Sequence, residues 1–192
     1  SSAASDVYKR QVQCFAPNVP QLHVINHLTG EVSEGESRNV LVEAARICRG
    51  QIRDVAELDA ADFDALLVPG GFGAAKNLCD FAIQGAECRI QPDVLKACQS
   101  FARAGKPAAY ICIAPAMIPL IYGAGTLATI GNDEGAANAI EAMGGSHLDC
   151  PVSEFVVDQE RKVISTPAYM LANNIVEAAD GIEKTVKQLL AL

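Results

Sequence analysis

The chain has 192 residues, half of them hydrophobic, and a formal net charge of −8. This length and composition fit one compact domain with a sizeable core. The acidic balance and the lack of a basic cluster argue against nucleic acid or an anionic membrane as partners, and no apolar stretch reaches the length of a membrane span. The seven cysteines are odd in number and form no C-x-x-C pair, which indicates free thiols and predicts neither a disulfide framework nor a zinc site.

The first eleven residues differ from the rest of the chain. Residues 1–11 have no apolar periodicity and resemble a translated sequencing-adapter artefact, so we exclude them from fold reasoning. An ordinary polar tail is the alternative interpretation. We therefore predict a single domain over residues 12–192.

Strand patterns alternate with helix patterns along this domain. We expect strands at 12–16, 64–69, 107–113 and 127–130, helices at 39–49, 92–104, 134–143 and 171–190, and a hairpin joining 155–157 to 163–166. Such alternation predicts an α/β fold with a mostly parallel sheet and helices on both faces. Residues 21–37 form a long irregular excursion of the kind that often carries function.

Cys112 has the most informative setting in the chain. It follows a short apolar run, typical of a strand in a buried parallel sheet, and Pro115 suits the first turn of a new helix. The cysteine therefore lies at a strand-to-helix turn, where the helix N–H groups and dipole favour the nucleophilic thiolate. A buried cysteine that acts as a small hydrophobe is the structural alternative.

Three segments are expected at the carboxyl ends of strands, where ligands bind in such folds: 70–73 (GGFG), 112–115 (CIAP) and 166–169 (TPAY). The glycine segment matches neither a dinucleotide-binding nor a P-loop pattern. Adjacent glycines allow close backbone approach, and their N–H groups suit a developing oxyanion opposite a cysteine nucleophile. The structural interpretation of these glycines, a tight strand-to-helix turn, is compatible with that role. Tyr169 is placed to donate a hydrogen bond there, or has a structural role.

The three histidines carry weaker signals. His23 and His27 have the i, i+4 spacing of a helical metal site, but the intervening residues are poor helix formers and the glutamate of H-E-x-x-H is absent. We predict no metal and expect one of the two to contact substrate or a partner subunit. His147 follows two glycines and a serine and is expected at the surface.

Several of these segments resemble the ElbB family, named for enhancing lycopene biosynthesis, within the PfpI-type, class I glutamine amidotransferase-like superfamily. The similar segments are 23–30 (HVINHLTG), 38–46 (RNVLVEAAR), 67–78 (LVPGGFGAAKNL), 111–117 (ICIAPAM) and 166–171 (TPAYML). The resemblance extends over residues 12–192. It implies a flavodoxin-like three-layer sandwich, a cytoplasmic location (mitochondrial in a eukaryotic branch), and a homodimer.

The resemblance also implies a site. Cys112 would be the nucleophile, the amides of Gly70 and Gly71 would hold the oxyanion, and Ile113 would contribute the elbow amide. We expect the substrate to contact Phe72, Asn77, Pro167, Tyr169 and His27. The implied activity is a weak glyoxalase without cofactor: the thiolate adds to glyoxal or methylglyoxal, and an enediol and hydrolysis lead to glycolate or lactate. A link to isoprenoid metabolism is implied as well.

Two departures from the family pattern matter. Peptidase-like and amidotransferase relatives carry a histidine next to the cysteine or on a later strand. This chain has Ile113 and residues 131–133 (GND) at those places, which argues against peptidase and glutaminase activity.

The second departure is at the start of the family pattern. The family begins with a strand, a glycine-rich turn and a helix carrying a glutamate base, and this chain matches from its second strand onward. We expect a fragment without that first strand and helix, less stable and less active than a version with them restored.

Two other functions remain open from the residues. The first is a redox-sensing or regulatory protein in which Cys112 is oxidised and no substrate is turned over, since oxidation also follows thiolate character. The second is an inert scaffold or a dimeric interaction protein.

Overall fold

The computed structural model describes residues 10–192, so the interpretation of residues 1–11 as a tail lies almost wholly outside it. Ten strands are described: β1 Cys14–Ala16, β2 Ile25–Asn26, β3 Glu31–Val32, β4 Ile52–Asp54, β5 Leu66–Val68, β6 Ala108–Ile111, β7 Leu127–Ala128, β8 Ser146–His147, β9 Val156–Asp158 and β10 Val163–Thr166. The α-helices are α1 Val40–Ile47, α2 Phe81–Gln84, α3 Pro92–Arg103, α4 Ile118–Tyr122, α5 Glu134–Ala142 and α6 Ile175–Leu189. The predicted strand–helix alternation is confirmed.

A four-stranded sheet in the order β5-β6-β10-β9 forms the centre of the fold. β6 is parallel to both of its neighbours, with Ile111 opposite Thr166, and β9 is the antiparallel edge of the predicted hairpin. All residues of β6 and β10 are buried, as expected for strands covered on both faces. The carboxyl ends of β5, β6 and β10 therefore lie at one edge of the sheet.

Helices cover both faces of this sheet. Ala108 and Tyr110 of β6 face a core shared with α3 and α4, whereas Ala109 packs with Ile164 of β10 and Leu189 of α6 on the other face. Successive side chains of a strand point to opposite faces, so one apolar strand supplies both cores. The α/β sandwich with a mostly parallel sheet is confirmed.

β1 and β4 form a separate parallel pair, a division that the sequence patterns do not reveal. Within residues 10–192, β1 bonds to β4 and β5 bonds to β6, and no strand joins β1 to β5. Both parts contribute to one core, because Phe15 of β1 packs against it and meets the Phe63 ring edge-on at 5.5 Å. In the described chain, one edge of β1 and one edge of β5 are thus unpaired.

The closing helix begins later than the sequence pattern predicts. A 3₁₀ turn, Ala168–Met170, precedes it, and the Asn174 side chain accepts hydrogen bonds from Val176 and Glu177 as the cap of α6. The expected start at residue 171 is therefore wrong. Within the described residues, no helix is long and apolar enough to cross a membrane.

Burial of cysteines predicts a loss of stability at alkaline pH. Burial, partly offset by a hydrogen bond from Tyr110, raises the pKa of Cys98 to about 11, and the side chain is only 2% exposed. Between the ordinary thiol pKa of 9.0 and about 11, the folded protein therefore keeps the Cys98 proton while the unfolded chain releases it. The free energy of unfolding has its full value below the unfolded pKa and falls as the pH rises towards 11. We expect the free energy of unfolding, measured by urea denaturation, to fall about 2 kcal/mol less in Cys98→Ala than in the parent between about pH 8 and 10.5. Parallel pH profiles would contradict the assignment.

Candidate active site

Cys112 is the first residue after β6 and has a left-handed backbone conformation, with φ of 65°. This conformation costs a non-glycine residue roughly 1–2 kcal/mol. It is held by a 2.9 Å hydrogen bond from the Cys112 N–H to the carbonyl of Thr166, at the end of β10. The 3₁₀ turn Ala114–Met117 follows at once and leads into α4. The predicted strand-to-helix turn is present, and it places the half-buried Cys112 thiol at the carboxyl end of the sheet.

Gly70 packs directly against this turn. A Cβ atom at Gly70 would lie 2.5 Å from the carbonyl oxygen of Ile111, 2.7 Å from the Cβ of Cys112 and 2.9 Å from the nitrogen of Ile113. All three distances are shorter than real Cβ atoms tolerate, so the position requires glycine. The ends of β5 and β6 are thus brought together with Gly70 against Cys112, as the sequence predicts.

Three backbone N–H groups near the thiol are available as donors. Within residues 10–192, the N–H groups of Gly70, Gly71 and Ile113 donate to no protein acceptor. Gly71 has φ of 91°, and its carbonyl accepts from Ala74 and Ala75, which starts the next helical turn. Unpaired N–H groups beside a nucleophile can stabilise negative charge on a substrate oxygen.

The end of β10 supplies a third segment with an unusual backbone. Ala168 is fully buried and has φ of 43°, so left-handed residues follow both β6 and β10. Pro167 lies beside Gly131, where an added Cβ would be 3.3 Å from the Pro167 Cβ, and Tyr169 is 60% exposed. No local pattern predicts the strain at Ala168, because alanine rarely adopts a left-handed conformation.

The structure places the remaining predicted substrate residues in different settings and does not bring them together. Phe72 follows the paired glycines and is 79% exposed, whereas the Asn77 amide oxygen accepts a 2.9 Å hydrogen bond from the Leu22 N–H and so supports the excursion. His27 is exposed on the turn between β2 and β3, with no described contact to the glycine segment. His23 contacts the turn that follows the glycine segment, with its Nδ1 3.2 Å from the Lys76 ammonium. Lys76 was not among the predicted site residues, although it lies in the segment 67–78.

No proton acceptor is hydrogen-bonded to the Cys112 thiol within the described chain. Ile113 follows the cysteine, and the Asp133 carboxylate caps α5 by accepting from the Ala136 N–H. The expectation that His147 lies at the surface is wrong: its side chain is 4% exposed, and its Nε2 accepts from the Ile130 N–H. That contact joins the His147 side chain, at the end of β8, to the segment that follows β7.

A polar cleft of about 550 Å³ lies along α5 and is lined by Asn132, Asn138, Glu141, His147 and Asp149, among others. It contains none of the residues around Cys112, so we do not assign it to the same chemistry. Within residues 10–192, no group of three or more His, Cys, Asp or Glu could hold a metal ion.

Comparison with known proteins places this geometry in a family, although no family model matches the chain. A human protein, glutamine amidotransferase-like class 1 domain-containing protein 3, mitochondrial, is 46% identical over 191 residues, which cover 95% of this chain and 71% of the relative. The crystal structure of an isoprenoid biosynthesis protein with an amidotransferase-like domain from Ehrlichia chaffeensis is 34% identical and superposes with a TM-score of 0.90, covering 99% of this chain and 87% of that one. A glyoxalase III from Candida albicans shares the fold at a TM-score of 0.51 and 14% identity, over 79% of this chain and 67% of its own. The chain therefore belongs to the class I glutamine amidotransferase-like family, and it has a flavodoxin-like fold.

Proposed function

We propose that the protein is a cysteine-dependent glyoxalase that needs no cofactor and uses Cys112 as its nucleophile. The observation that carries the proposal is the strained turn at Cys112, packed against Gly70, with N–H groups of Gly70, Gly71 and Ile113 that donate to no protein acceptor within residues 10–192. A conformation this costly persists only where the surroundings hold it, and such residues cluster at active sites. The Ehrlichia relative's description and the resemblance to ElbB proteins extend the proposal to isoprenoid metabolism.

The chemistry uses only the thiol, water and proton transfers. The Cys112 thiolate adds to one aldehyde carbon of glyoxal, and the oxygen that becomes negative is stabilised by the N–H groups of Gly70, Gly71 and Ile113. The hydrogen on that carbon leaves as a proton, and an enediol forms. Protonation of the second carbon gives a thioester of glycolate. Water then cleaves the carbon–sulfur bond, releasing glycolate and the thiol without net oxidation or reduction.

The proton transfer needs a base, and the sheet indicates where one would come from. Within the described chain, β1 pairs only with β4 and β5 pairs only with β6, so each of these strands has one unpaired edge. In the ElbB pattern, a strand there leads to a helix with a glutamate. We infer that such a segment pairs with β1 and β5 and brings the general base to Cys112, and that activity and stability both increase when it is present.

Turnover of glyoxal tests the proposed function. We expect glycolate to form in buffer with a metal chelator and no added thiol, and Cys112→Ala to lower kcat/KM at least about 100-fold, because the covalent route is then closed. Proton NMR resolves glyoxal hydrate from glycolate in one sample. Cys48→Ala is the matched control, since Cys48 is another partly exposed thiol and lies outside the site. Equal rates for parent and Cys112→Ala would overturn the proposal.

A second candidate is a redox sensor, and the missing proton acceptor at the Cys112 thiol favours it. The thiolate attacks one oxygen of hydrogen peroxide, the O–O bond breaks, and a sulfenic acid forms while the leaving hydroxide takes a proton from water, so no base has to remove a proton from a substrate carbon. Peroxide treatment that converts Cys112 to a sulfenic or sulfinic acid, in protein that forms no glycolate, would support the sensor and contradict the glyoxalase.

We also propose a homodimer and a mitochondrial location. The location rests on the human relative, whose name places it in mitochondria. The resemblance to ElbB proteins implies a cytoplasmic location first, and imaging of a tagged protein in cells distinguishes the two locations. Light scattering of the purified chain tests the dimer.

A further inference from the structure

The Lys76 ammonium is a positive charge just after the glycine segment 70–73, and it has no acidic partner within residues 10–192. Lys76 belongs to the single π-helical turn Ala74–Leu78, which begins three residues after Gly71. Within residues 10–192, no carboxylate lies within 4.0 Å of its Nζ, whereas arginines such as Arg38, Arg46 and Arg53 are paired with glutamates.

Two neutral groups hold the ammonium in place. Its Nζ lies 3.2 Å from the His23 Nδ1, which accepts the hydrogen bond because an ammonium only donates. It also lies 5.3 Å from the centroid of the exposed Phe72 ring, within the range of a cation–π contact. Neither contact neutralises the charge. Lysine has three N–H donors, so donor capacity remains for a ligand.

The same turn fixes this arrangement relative to Cys112. Asn77 binds the Leu22 N–H, which anchors the segment that carries His23, and Gly70 packs against Cys112 at the other end of the loop. Single π-helical turns are frequent at functional sites, where they redirect neighbouring side chains. Lys76, His23 and Phe72 therefore form a connected group directly beside the glycine segment 70–73.

We propose that Lys76 gives the Cys112 site a preference for carbonyl substrates that carry an anionic group, either a carboxylate or a phosphate. The inference rests on the proposed role of Cys112 as nucleophile and names the class of substrate for that site. The thiolate adds to the carbonyl carbon while the ammonium binds the anionic group. Glyoxal and methylglyoxal, which are neutral, would then be poor substitutes for the natural substrate.

Alkylation with a matched pair of reagents tests the inference without any turnover. Iodoacetate and iodoacetamide form the same sulfur–carbon bond and release iodide, but only iodoacetate carries a negative charge. We measure the ratio of their rates at Cys112 by peptide mass spectrometry. We expect Lys76→Gln to lower the iodoacetate-to-iodoacetamide ratio about three- to tenfold, as expected for losing one nearby charge. Lys76→Arg should keep most of the ratio.

Lys96→Gln is the control for net charge, because Lys96 is exposed on α3 and its removal changes the total charge equally. We expect Lys96→Gln to leave the ratio unchanged; a ratio that falls as much in Lys96→Gln as in Lys76→Gln, or in neither, would overturn the inference.

Salt dependence gives a test on the unmodified protein. If Lys76 dominates the electrostatic potential at Cys112, added salt screens an attraction for iodoacetate and lowers the iodoacetate-to-iodoacetamide ratio. If the net charge of −8 dominates that potential, salt screens a repulsion and raises the ratio. A ratio that rises with salt would contradict the inference. The iodoacetamide rate alone reports whether Cys112 is reactive, so failure of the proposed function appears in that rate and failure of this inference in the ratio.

Discussion

Gly70→Ala should abolish most of the reactivity of Cys112 and destabilise the protein by roughly 2–4 kcal/mol. The added methyl group would meet the Ile111 carbonyl, the Cys112 Cβ and the Ile113 nitrogen at 2.5–2.9 Å. These atoms belong to the backbone or to its first side-chain carbon, so no flexible side chain can move aside. The end of β6 must shift away from β5, which displaces the thiol from the N–H groups. We expect at least a tenfold fall in the iodoacetamide rate at Cys112 and a lower urea midpoint.

Gly73→Ala is the matched control in the same loop. Gly73 has helical backbone angles, φ −59° and ψ −42°, and an added Cβ would have nothing within 4 Å. Alanine there should be neutral or slightly stabilising, since it only reduces the freedom of the unfolded chain. If Gly70→Ala behaved like Gly73→Ala in both measurements, the close packing of the two strand ends would not matter for the site.

Gly181→Ala should destabilise the protein by roughly 2–4 kcal/mol, although glycine to alanine within a helix normally stabilises. Gly181 lies inside α6, where an added Cβ would collide with the Val152 carbonyl oxygen and lie 3.3 Å from the Thr166 hydroxyl. Thr166 also provides the carbonyl that binds the Cys112 N–H. A displaced α6 would therefore disturb the support of the active-site turn as well as the core.

Gly135→Ala in α5 serves as the comparison, because the nearest atom to an added Cβ there is the Asp133 carboxylate at 3.5 Å. It should stabilise by about 0.5–1 kcal/mol, the usual helical preference for alanine. Urea denaturation of both variants gives the comparison. Equal and favourable effects at the two glycines would show that α6 can move from Val152 without cost.

The location of the site could be predicted from the sequence because it depends on local patterns and one general rule. The apolar run before Cys112 and the paired glycines after β5 each identify the end of a buried strand. In a parallel sheet those ends meet at one edge. α3 was likewise predictable, since Pro92 begins it and Gly105 follows its end.

Features that depend on distant contacts could not be predicted in this way. Met170 and Leu171 continue the apolar pattern of α6, but Met170 packs against the Ile130 cluster and Leu171 lies beside Gly131, so the helix begins only at Ile175. His147 follows a loop-like pattern, yet pairing of β8 with β7 buries it. The contact between Lys76 and His23 joins residues 53 positions apart, and no local pattern indicates it.

The most direct test of Cys112 as the nucleophile is limited iodoacetamide labelling of the native protein at neutral pH, with all seven cysteines compared by peptide mass spectrometry. Burial raises the pKa of Cys14, Cys98 and Cys150 to about 11 and that of Cys88 to about 12, and it also raises the pKa of Cys79, so these thiols stay protonated and react slowly. We predict that Cys112 is labelled first and that Gly70→Ala removes this preference. Labelling of Cys112 only after the protein unfolds, or first labelling at another cysteine, would contradict the account.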